Sequence, residues 1–252
     1  MFANSLARVS AILPSSLKYR LATIRPIYSA LMRFSEPITT AQTIAGQVNW
    51  QVDALTSQEY LLGTYERYMR QAFVNYIREG AIVYDVGAHA GFHSLLCSLL
   101  AGSSGRVIAF EPNPQNRASI ARQVSVNPQL QISVSPYALS DRCEVVPFDV
   151  SSGSSQGHLS GTGNFEVETR SLDFVIDQEE FPAPNVIKID VEGHEEKVLV
   201  GGLETIDRCK PVILCDRNDD GTFSTVRALL EPYGYRVADG WPIIATHAGS
   251  RA

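Results

Sequence analysis

Residues 83–92 read VYDVGAHAGF, an apolar strand that runs into a turn with two glycines. Gly87 and Gly91 allow the backbone to turn tightly and to approach a ligand with no Cβ in the way. A dinucleotide-binding turn would read G-x-G-x-x-G, whereas this one reads D-x-G-x-x-x-G. Asp85 would repel a pyrophosphate but attract an ammonium group. The turn therefore favours a ligand with an amino-acid moiety over a nucleotide phosphate.

A second apolar strand, predicted over 106–110, ends in Glu111, which lies 20 residues after Gly91. A carboxylate at this place in a strand–turn–helix unit is suited to accept both hydroxyl protons of a ribose. An adenosine that carries an amino acid satisfies both Asp85 and Glu111, and S-adenosylmethionine is such a ligand. The alternative, a tight glycine turn with no ligand, does not explain why the two acids stand at this spacing.

From about residue 60 onwards, short apolar runs alternate with segments of helical spacing. The pattern predicts strands at 81–86, 106–110, 132–135, 145–150, 165–169, 186–190, 212–215, 235–238 and 243–246, and helices at 92–100, 115–126, 172–176, 195–200 and 224–233. Such alternation indicates a mostly parallel sheet that is covered on both faces and binds ligands beyond the carboxyl ends of its strands. The Ser- and Gly-rich stretch 151–163 is typical of a loop.

The second segment with chemical character is KIDVEGHE at residues 188–195. The two-residue period of a strand places Lys188, Asp190 and Glu192 on one side. A hydroxyl is a poor nucleophile at neutral pH, so we interpret Asp190, with Glu192 or His194, as the group that orients an acceptor hydroxyl and removes its proton. The alternative is that Glu192 caps the next helix and His194 is solvated.

Two segments carry a family resemblance: DVGAHAGFHSLLCSLLAGSSGRVIAFEPN at 85–113 and VIKIDVEG at 186–193. They resemble the FkbM family of S-adenosylmethionine-dependent methyltransferases, and the similarity runs from roughly Tyr65 to Asp216. The resemblance implies an α/β class I methyltransferase (Rossmann-like) sandwich, with a mostly parallel seven-stranded sheet and helices on both faces. It also implies a reaction that is usually O-methylation of a hydroxyl group.

The resemblance further implies which residues hold the cofactor, S-adenosylmethionine. The candidate cofactor-binding residues are Asp85, Gly87, Ala88, His89, Gly91, Glu111, Pro112, Asn113 and Ala138. The residues of the glycine turn would hold the methionine part and Glu111 the ribose, while Asn113 and Ala138 would surround the adenine.

The chain departs from the family pattern at residues 215–218, which read CDRN where many relatives have Glu followed by His. Asp216 keeps the charge on a shorter side chain. The candidate catalytic residues are therefore Asp190, Glu192, His194 and Asp216. Because Asp190, Asp216 and Asn218 would also offer oxygen ligands to a hard cation such as magnesium, a divalent cation stays open as a second cofactor.

Composition excludes several classes of protein. A chain of 252 residues with 44% hydrophobic residues is too apolar to be disordered, and it suits one globular domain or one domain with an extension. The net charge of −6 argues against nucleic acid as a partner. No apolar run approaches the roughly 18 residues of a membrane-spanning helix. Four scattered cysteines indicate reduced thiols in a cytoplasmic protein.

Residues 1–35 differ from the rest, because they contain five basic residues and no acidic one. We predict that residues 1–60 form a basic helical extension and residues 61–252 the methyltransferase domain. The extension would pack on the domain and cover the substrate, or contact an anionic membrane or a partner. We expect a cytoplasmic location, with peripheral membrane association as an alternative; the oligomeric state is not predicted.

The sequence thus predicts an S-adenosylmethionine-dependent methyltransferase that acts on a hydroxyl group of a small molecule or a glycan. The alternative from another class is a non-catalytic module that binds S-adenosylmethionine and has a degraded acceptor site at 215–218. A nicotinamide-dependent oxidoreductase is disfavoured by the glycine spacing.

Overall fold

A computed structural model describes residues 37–40, 42–53, 55–150, 157–159, 161–163, 165–219 and 221–250. Within these ranges, no helix is both long enough and apolar enough to cross a membrane. The basic segment 1–35 lies outside the described residues. Its helical structure, its membrane contact and the cytoplasmic location therefore stay predictions.

Strands and helices alternate along most of the described chain. The strands are β1 (Ile38–Thr39), β2 (Asn49–Trp50), β3 (Ile82–Val86), β4 (Arg106–Phe110), β5 (Ile132–Ser135), β6 (Ala138–Leu139), β7 (Val145–Asp149), β8 (His158–Leu159), β9 (Phe165–Arg170), β10 (Val186–Ile189), β11 (Val212–Cys215), β12 (Arg236–Ala238) and β13 (Ile243–Thr246). The helices are α1 (Gln58–Leu62), α2 (Arg67–Tyr76), α3 (Phe92–Ala101), α4 (Pro114–Ser125), α5 (Leu172–Asp177), α6 (Glu195–Val200), α7 (Leu203–Cys209) and α8 (Thr222–Leu230), followed by a 3-10 turn at Glu231–Tyr233.

The main sheet has seven strands in the order β12-β13-β11-β10-β3-β4-β5. Strands β11, β10, β3, β4 and β5 are parallel to one another, and β13 runs antiparallel to both β11 and β12. The chain order reverses at β3, which lies between β4 and β10. In open sheets of this kind, ligands bind outside the carboxyl ends of the strands at this reversal.

Alternating side chains of the parallel strands fill two cores. On β3, Tyr84 and Val86 face a core that also contains residues of α5, α6, α7 and α8, whereas Val83 faces a core with residues of α2 and α3. Strands buried on both faces are typical of a sheet with helices on each side. The predicted α/β sandwich, with its mostly parallel seven-stranded sheet, is therefore confirmed.

The nine predicted strands are all present, but helices α2 and α7 were not predicted, and α1 coincides with a predicted helix only in its first three residues, at the end of the extension 1–60. In α2 the buried residues Met69, Ala72 and Phe73 have the i, i+3, i+4 spacing that would have revealed the helix. Helix α7 is short, follows two glycines and contains Thr205 and Asp207, which are poor helix formers, so its burial rather than its local sequence stabilises it.

Strands β6, β7, β8 and β9 form a second, smaller sheet in the order β6-β9-β7-β8. Strand β8 lies within the stretch 151–163 that was predicted to be a loop, while residues 151–156 and 160 lie outside the described residues. Strands β7 and β9 of this sheet were predicted, whereas β6 and β8, which have two residues each, were not, and their pairing into a separate sheet was not foreseen.

Residues 37–60 include a two-stranded hairpin of β1 and β2, not the helix predicted there. Trp50, which follows a polar residue at the end of β2, is fully buried. Its ring lies 5.1 Å from that of Tyr60 and 6.0 Å from that of Phe92 on α3. Its indole N–H donates to Thr56 Oγ1 at 2.9 Å. This part of the chain packs into the domain, while the boundary predicted at residue 60 stays a prediction.

If the hairpin is an integral part of the core, Trp50→Ala should lower the free energy of unfolding by about 3 to 5 kcal/mol, because it removes a buried indole and leaves a cavity. Urea denaturation followed by circular dichroism measures the loss. Ile44→Ala, at a side chain that is 52% exposed on the same segment, should change stability by less than about 0.5 kcal/mol. Equal stability of Trp50→Ala and the unmodified chain would show that the segment is only loosely attached.

Candidate active site

A solvent-open cleft of about 900 Å³ lies at the carboxyl ends of β3, β4, β10 and β11, where the strand order reverses. Its walls include Gly87 after β3, Glu111 after β4, Asp190 after β10 and Asp216 after β11. The small sheet also contributes to the lining of the cleft, with Ala138, Leu139, Phe148, His158 and Leu159.

The turn after β3 is shaped by the neighbouring strands. The N–H groups of Gly87 and Ala88 donate to the carbonyl oxygen of Phe110, at 3.0 and 3.2 Å. Gly87 has a φ of 79°, and a Cβ at this position would collide with the backbone carbonyl of Asp190. The glycine is therefore required by close packing of β3 against β10. The residue also lines the cleft, as predicted.

Two other residues of the turn lie behind it. Gly91 has a φ of 88°, and a Cβ there would lie 3.1 Å from Ile120 of α4. Ala88 packs in a small core with Ala109 and Ile120. Neither Gly91 nor Ala88 is among the residues that line the cleft, and their contact with the methionine part stays a prediction. His89 does line the cleft.

Glu111 is a buried carboxylate that faces the cleft and is 4% exposed. Its Oε2 accepts from the backbone N–H of His89 at 2.8 Å, and its Oε1 accepts from that of Asn113 at 2.8 Å. Burial raises the pKa of Glu111 to about 7, against the opposing effect of these two hydrogen bonds. The structure thus fixes the orientation of a carboxylate that can accept hydroxyl protons.

Of the remaining residues predicted to bind the cofactor, some line the cleft and one lies behind its wall. Pro112 and Ala138 line the cleft. Asn113 is buried and caps α4 by accepting from the N–H of Gln115 at 2.9 Å, so it supports the wall without forming it. Asn116, one turn further along α4, lines the cleft and was missed. Asn113 caps α4 and Asn116 faces the cleft from the first turn of that helix. The sequence alone does not reveal which side chains of this turn face the ligand.

Beneath the cleft floor lies a buried ion-pair cluster centred on Lys188. The register of β10 and β3 places Lys188 opposite Asp85. Its Nζ lies 3.0 Å from Asp85 Oδ1 and 3.3 Å from Asp190 Oδ2, and it donates to the carbonyl of Gly87 at 2.8 Å. The hydroxyl of Ser94 donates to Asp85 Oδ2 at 2.5 Å.

The charges in this cluster stabilise one another. Burial alone would raise the pKa of Asp85, but the Lys188 ammonium, His93 and the hydrogen bond from Ser94 together outweigh it and hold the pKa below its ordinary value. Burial would likewise lower the pKa of Lys188, yet Asp85 and Asp190 hold it above its ordinary value. Asp85 is fully buried and does not line the cleft. In the structure the cation beside Asp85 is the Lys188 ammonium, and direct contact of Asp85 with a ligand ammonium stays a prediction.

All four candidate catalytic residues line the cleft, together with Glu66, which was missed as a catalytic candidate. Burial, and then the carboxylate of Asp190, raises the pKa of Glu66 to about 7. The same two causes raise the pKa of Asp216 and of Glu192. Carboxylates that share one cleft raise one another's proton affinity, and they attract cationic ligands. The pair Tyr65-Glu66, just before α2, was the available sequence signal.

Glu192 does not cap α6. That turn is instead held by Glu195, whose Oε1 accepts from the N–H groups of Val191 and Gly193, both at 3.2 Å. His194 is not merely solvated, because its Nε2 lies 2.9 Å from Ser140 Oγ. The alternative interpretation of Glu192 and His194 is therefore wrong on both points.

The cation-binding arrangement left open by the sequence is not assembled. Within the described ranges, no group of three or more His, Cys, Asp or Glu side chains is placed to hold a metal ion. The amide of Asn218 donates to Glu195 at 2.5 Å, and the ammonium of Lys188 lies beside Asp190. The Lys188 ammonium opposes cation binding at Asp190, so the described residues give no support to the divalent cation, which stays a prediction.

A model of the methyltransferase FkbM domain family matches residues 85–237, which are more than half of this chain. The hexuronic acid methyltransferase AglP of Haloferax volcanii is 33% identical over 138 residues. The match covers 54% of this chain and 56% of that protein. The chain thus spans little more than half the length of this relative.

Two solved structures are also similar. A methyltransferase FkbM from Methylobacillus flagellatus is 17% identical with a TM-score of 0.49, and the match covers 77% of this chain and 62% of that one. A precorrin-6y C5,15-methyltransferase from Geobacter metallireducens is 16% identical with a TM-score of 0.48, covering 72% and 89% respectively.

The ion-pair cluster predicts a specific pattern of stability losses. Lys188→Met should lower the free energy of unfolding by about 3 to 5 kcal/mol, because it leaves the Asp85 charge buried and unpaired. Adding Asp85→Asn should recover part of that loss. Urea denaturation of the two single variants and the double variant measures the coupling.

Arg227→Met is the matched control, because Arg227 pairs with Glu231 at 2.7 Å on the surface. It should cost no more than about 1 kcal/mol. Additive losses in the Lys188 and Asp85 variants would contradict the assigned pairing.

Proposed function

This chain belongs to the FkbM methyltransferase family, and we propose that it is an S-adenosylmethionine-dependent O-methyltransferase that acts on a hydroxyl group of a glycan. When bound, S-adenosylmethionine supplies the methyl group. The observation that carries the proposal is the cleft at the strand reversal. It is lined by the buried carboxylate of Glu111 and by a group of further acidic side chains, those of Glu66, Asp190, Glu192 and Asp216.

The residues around Glu111 fit the adenosine part of this cofactor. Glu111 would accept hydrogen bonds from the two ribose hydroxyls, since a carboxylate oxygen can accept more than one hydrogen bond. Phe110, Ala138 and Leu139 offer apolar surface for the adenine, and Asn116, which lines the same cleft, also hydrogen-bonds to Glu111. These side chains support adenosine binding without any contribution from Asp85.

The acidic part of the cleft fits the sulfonium and amino-acid end of S-adenosylmethionine. Glu66, Asp190, Glu192 and Asp216 would stabilise a sulfonium and an ammonium by their negative charge. Lys188 balances only the carboxylates next to it, Asp85 and Asp190. The cleft therefore keeps an excess of negative charge that suits a cationic cofactor.

We assign Glu66 as the general base that removes the proton of the acceptor hydroxyl, and Asp190 as the residue that orients this hydroxyl. A general base works best when its pKa lies near the working pH, and that of Glu66 is raised to about 7. Asp190 is held in place by its ion pair with Lys188, at 3.3 Å. This assignment adds Glu66 to the predicted catalytic set and gives Asp190 a positioning role.

A glycan is the acceptor class that the chemistry favours. Sugars present many hydroxyl donors, and the cleft presents several carboxylate acceptors. The relative from Haloferax volcanii is a hexuronic acid methyltransferase, which supports a sugar over other hydroxylated molecules. The alternative of a non-catalytic module is tested by incubation with methyl-labelled cofactor and candidate glycans, since a module would bind the cofactor and label nothing.

The cofactor proposal predicts that the intact chain binds S-adenosylmethionine and that Glu111→Gln weakens binding about tenfold or more, because it removes a charged hydrogen-bond acceptor. Isothermal titration calorimetry measures both. Glu196→Gln, at an exposed residue outside the cleft, should bind as the unmodified chain does. Unchanged affinity in Glu111→Gln, or no binding by the intact chain, would overturn the proposal.

The assignment of Glu66 predicts a pH profile. At saturating cofactor, kcat/KM for the acceptor should rise with pH until about 7 and then level, because the base must lose its proton. Glu66→Gln should remove this step and lower the plateau by about 10² to 10⁴. Glu59→Gln, at an exposed residue of α1, should keep the profile. If the rise of kcat/KM with pH persists in Glu66→Gln, another group is the general base.

A further inference from the structure

Trp241 does not line the cleft itself but hydrogen-bonds to Asp216, which does. Trp241 precedes β13, and the register of β13 with β11 places Ile243 opposite Cys215. The residues just before β13 therefore lie beside those just after β11, where Asp216 faces the cleft. The topology thus brings an aromatic side chain to the acidic part of the cleft, although the two are distant in sequence.

The indole is held at one edge and open over most of its surface. Its Nε1 donates to Asp216 Oδ1 at 3.1 Å, yet the residue is 61% exposed. The N–H is the only polar group of an indole, so the exposed area is hydrocarbon and π surface. Among the large apolar side chains exposed in the described part of the chain, Trp241 is the one that hydrogen-bonds to a cleft residue.

A sugar ring matches this pairing of aromatic surface and carboxylate. The faces of a pyranose carry C–H groups, and their partially positive hydrogen atoms are attracted to the negative face of an aromatic ring. Its rim carries hydroxyl groups that donate to carboxylates such as Asp216. One hydrogen bond fixes the indole next to that carboxylate, so both features can engage one ring at once.

We propose that Trp241 is an acceptor-binding residue that stacks on a sugar ring of the glycan and places it beside Asp216. This inference rests on the proposed glycan acceptor, and it adds the residue that holds the sugar. An aromatic acceptor would also stack on an indole, and the test below includes one.

Fluorescence tests the contact directly, because the chain has two tryptophans, of which Trp50 is fully buried and Trp241 is exposed. In a Trp50→Phe variant, shown to be folded by circular dichroism, the emission comes from Trp241. Hexuronic-acid oligosaccharides should give a saturable blue shift or quenching, whereas catechol should give none at the same concentrations. A response to catechol but not to the sugars, or to neither, overturns the proposal.

Kinetics in the chain with Trp50 intact provide the second test. Trp241→Leu should raise KM for the oligosaccharide about tenfold with kcat changed far less, since a stacking contact binds the sugar without taking part in the chemistry. Trp241→Phe, which keeps a ring, should recover much of the loss. Tyr68→Ala, at an exposed ring on α2, is the matched control and should leave KM unchanged.

The outcomes separate this inference from the proposed function. Methylation of the sugar with an unchanged KM in Trp241→Leu overturns the role of Trp241 and leaves the methyltransferase proposal intact. Absence of both cofactor binding and methylation in the intact chain overturns both. Calorimetry with S-adenosylmethionine on Trp241→Leu should give an affinity close to that of the unmodified chain, because the substitution leaves the negative charge of Asp216 in place.

Discussion

The ammonium group of Lys188 is the interaction on which the site depends. It is buried between the carboxylates of Asp85 and Asp190 and also donates to the carbonyl of Gly87. These contacts join the ends of β3 and β10 at the point where the strand order reverses. A buried charge is costly unless it is paired, so the arrangement persists only while all the partners are in place. The cluster thereby fixes the floor of the cleft.

This cluster divides the acids of the chain into two groups. Asp85 is neutralised by Lys188 and serves the packing of the floor. Glu66, Glu192 and Asp216 stand above it, and burial together with mutual repulsion raises their pKa values. An acidic site that binds protons readily is suited both to a cationic methyl donor and to an acceptor hydroxyl that must lose its proton. The same acidity makes an exposed indole next to Asp216 useful, because it offers the sugar an uncharged surface.

The sequence predicted the parts of this structure that depend on local pattern. Apolar runs and helical spacing located the strands of the main sheet, and the polar residues after each strand marked the edge that binds ligands. The role of Asp85 was not predictable, because the register that sets Lys188 opposite it joins strands about 100 residues apart. The pairing of the small sheet and the burial of Trp50 also depend on contacts between residues that are not neighbours in the sequence. Gly87 is a further example. The sequence showed a glycine in a turn, but not that the backbone carbonyl of Asp190, just after β10, leaves no room for a side chain there.

The central claim is that Lys188, and not a ligand, is the partner of Asp85. A crystal structure of the protein with S-adenosylhomocysteine, which keeps the amino-acid and ribose groups of the cofactor, is the most direct measurement. We expect Asp85 to retain its contacts with Lys188 and Ser94, with the ligand amine held elsewhere and the ribose hydroxyls on Glu111. A direct hydrogen bond between Asp85 and the ligand amine, with Lys188 displaced, would contradict the account.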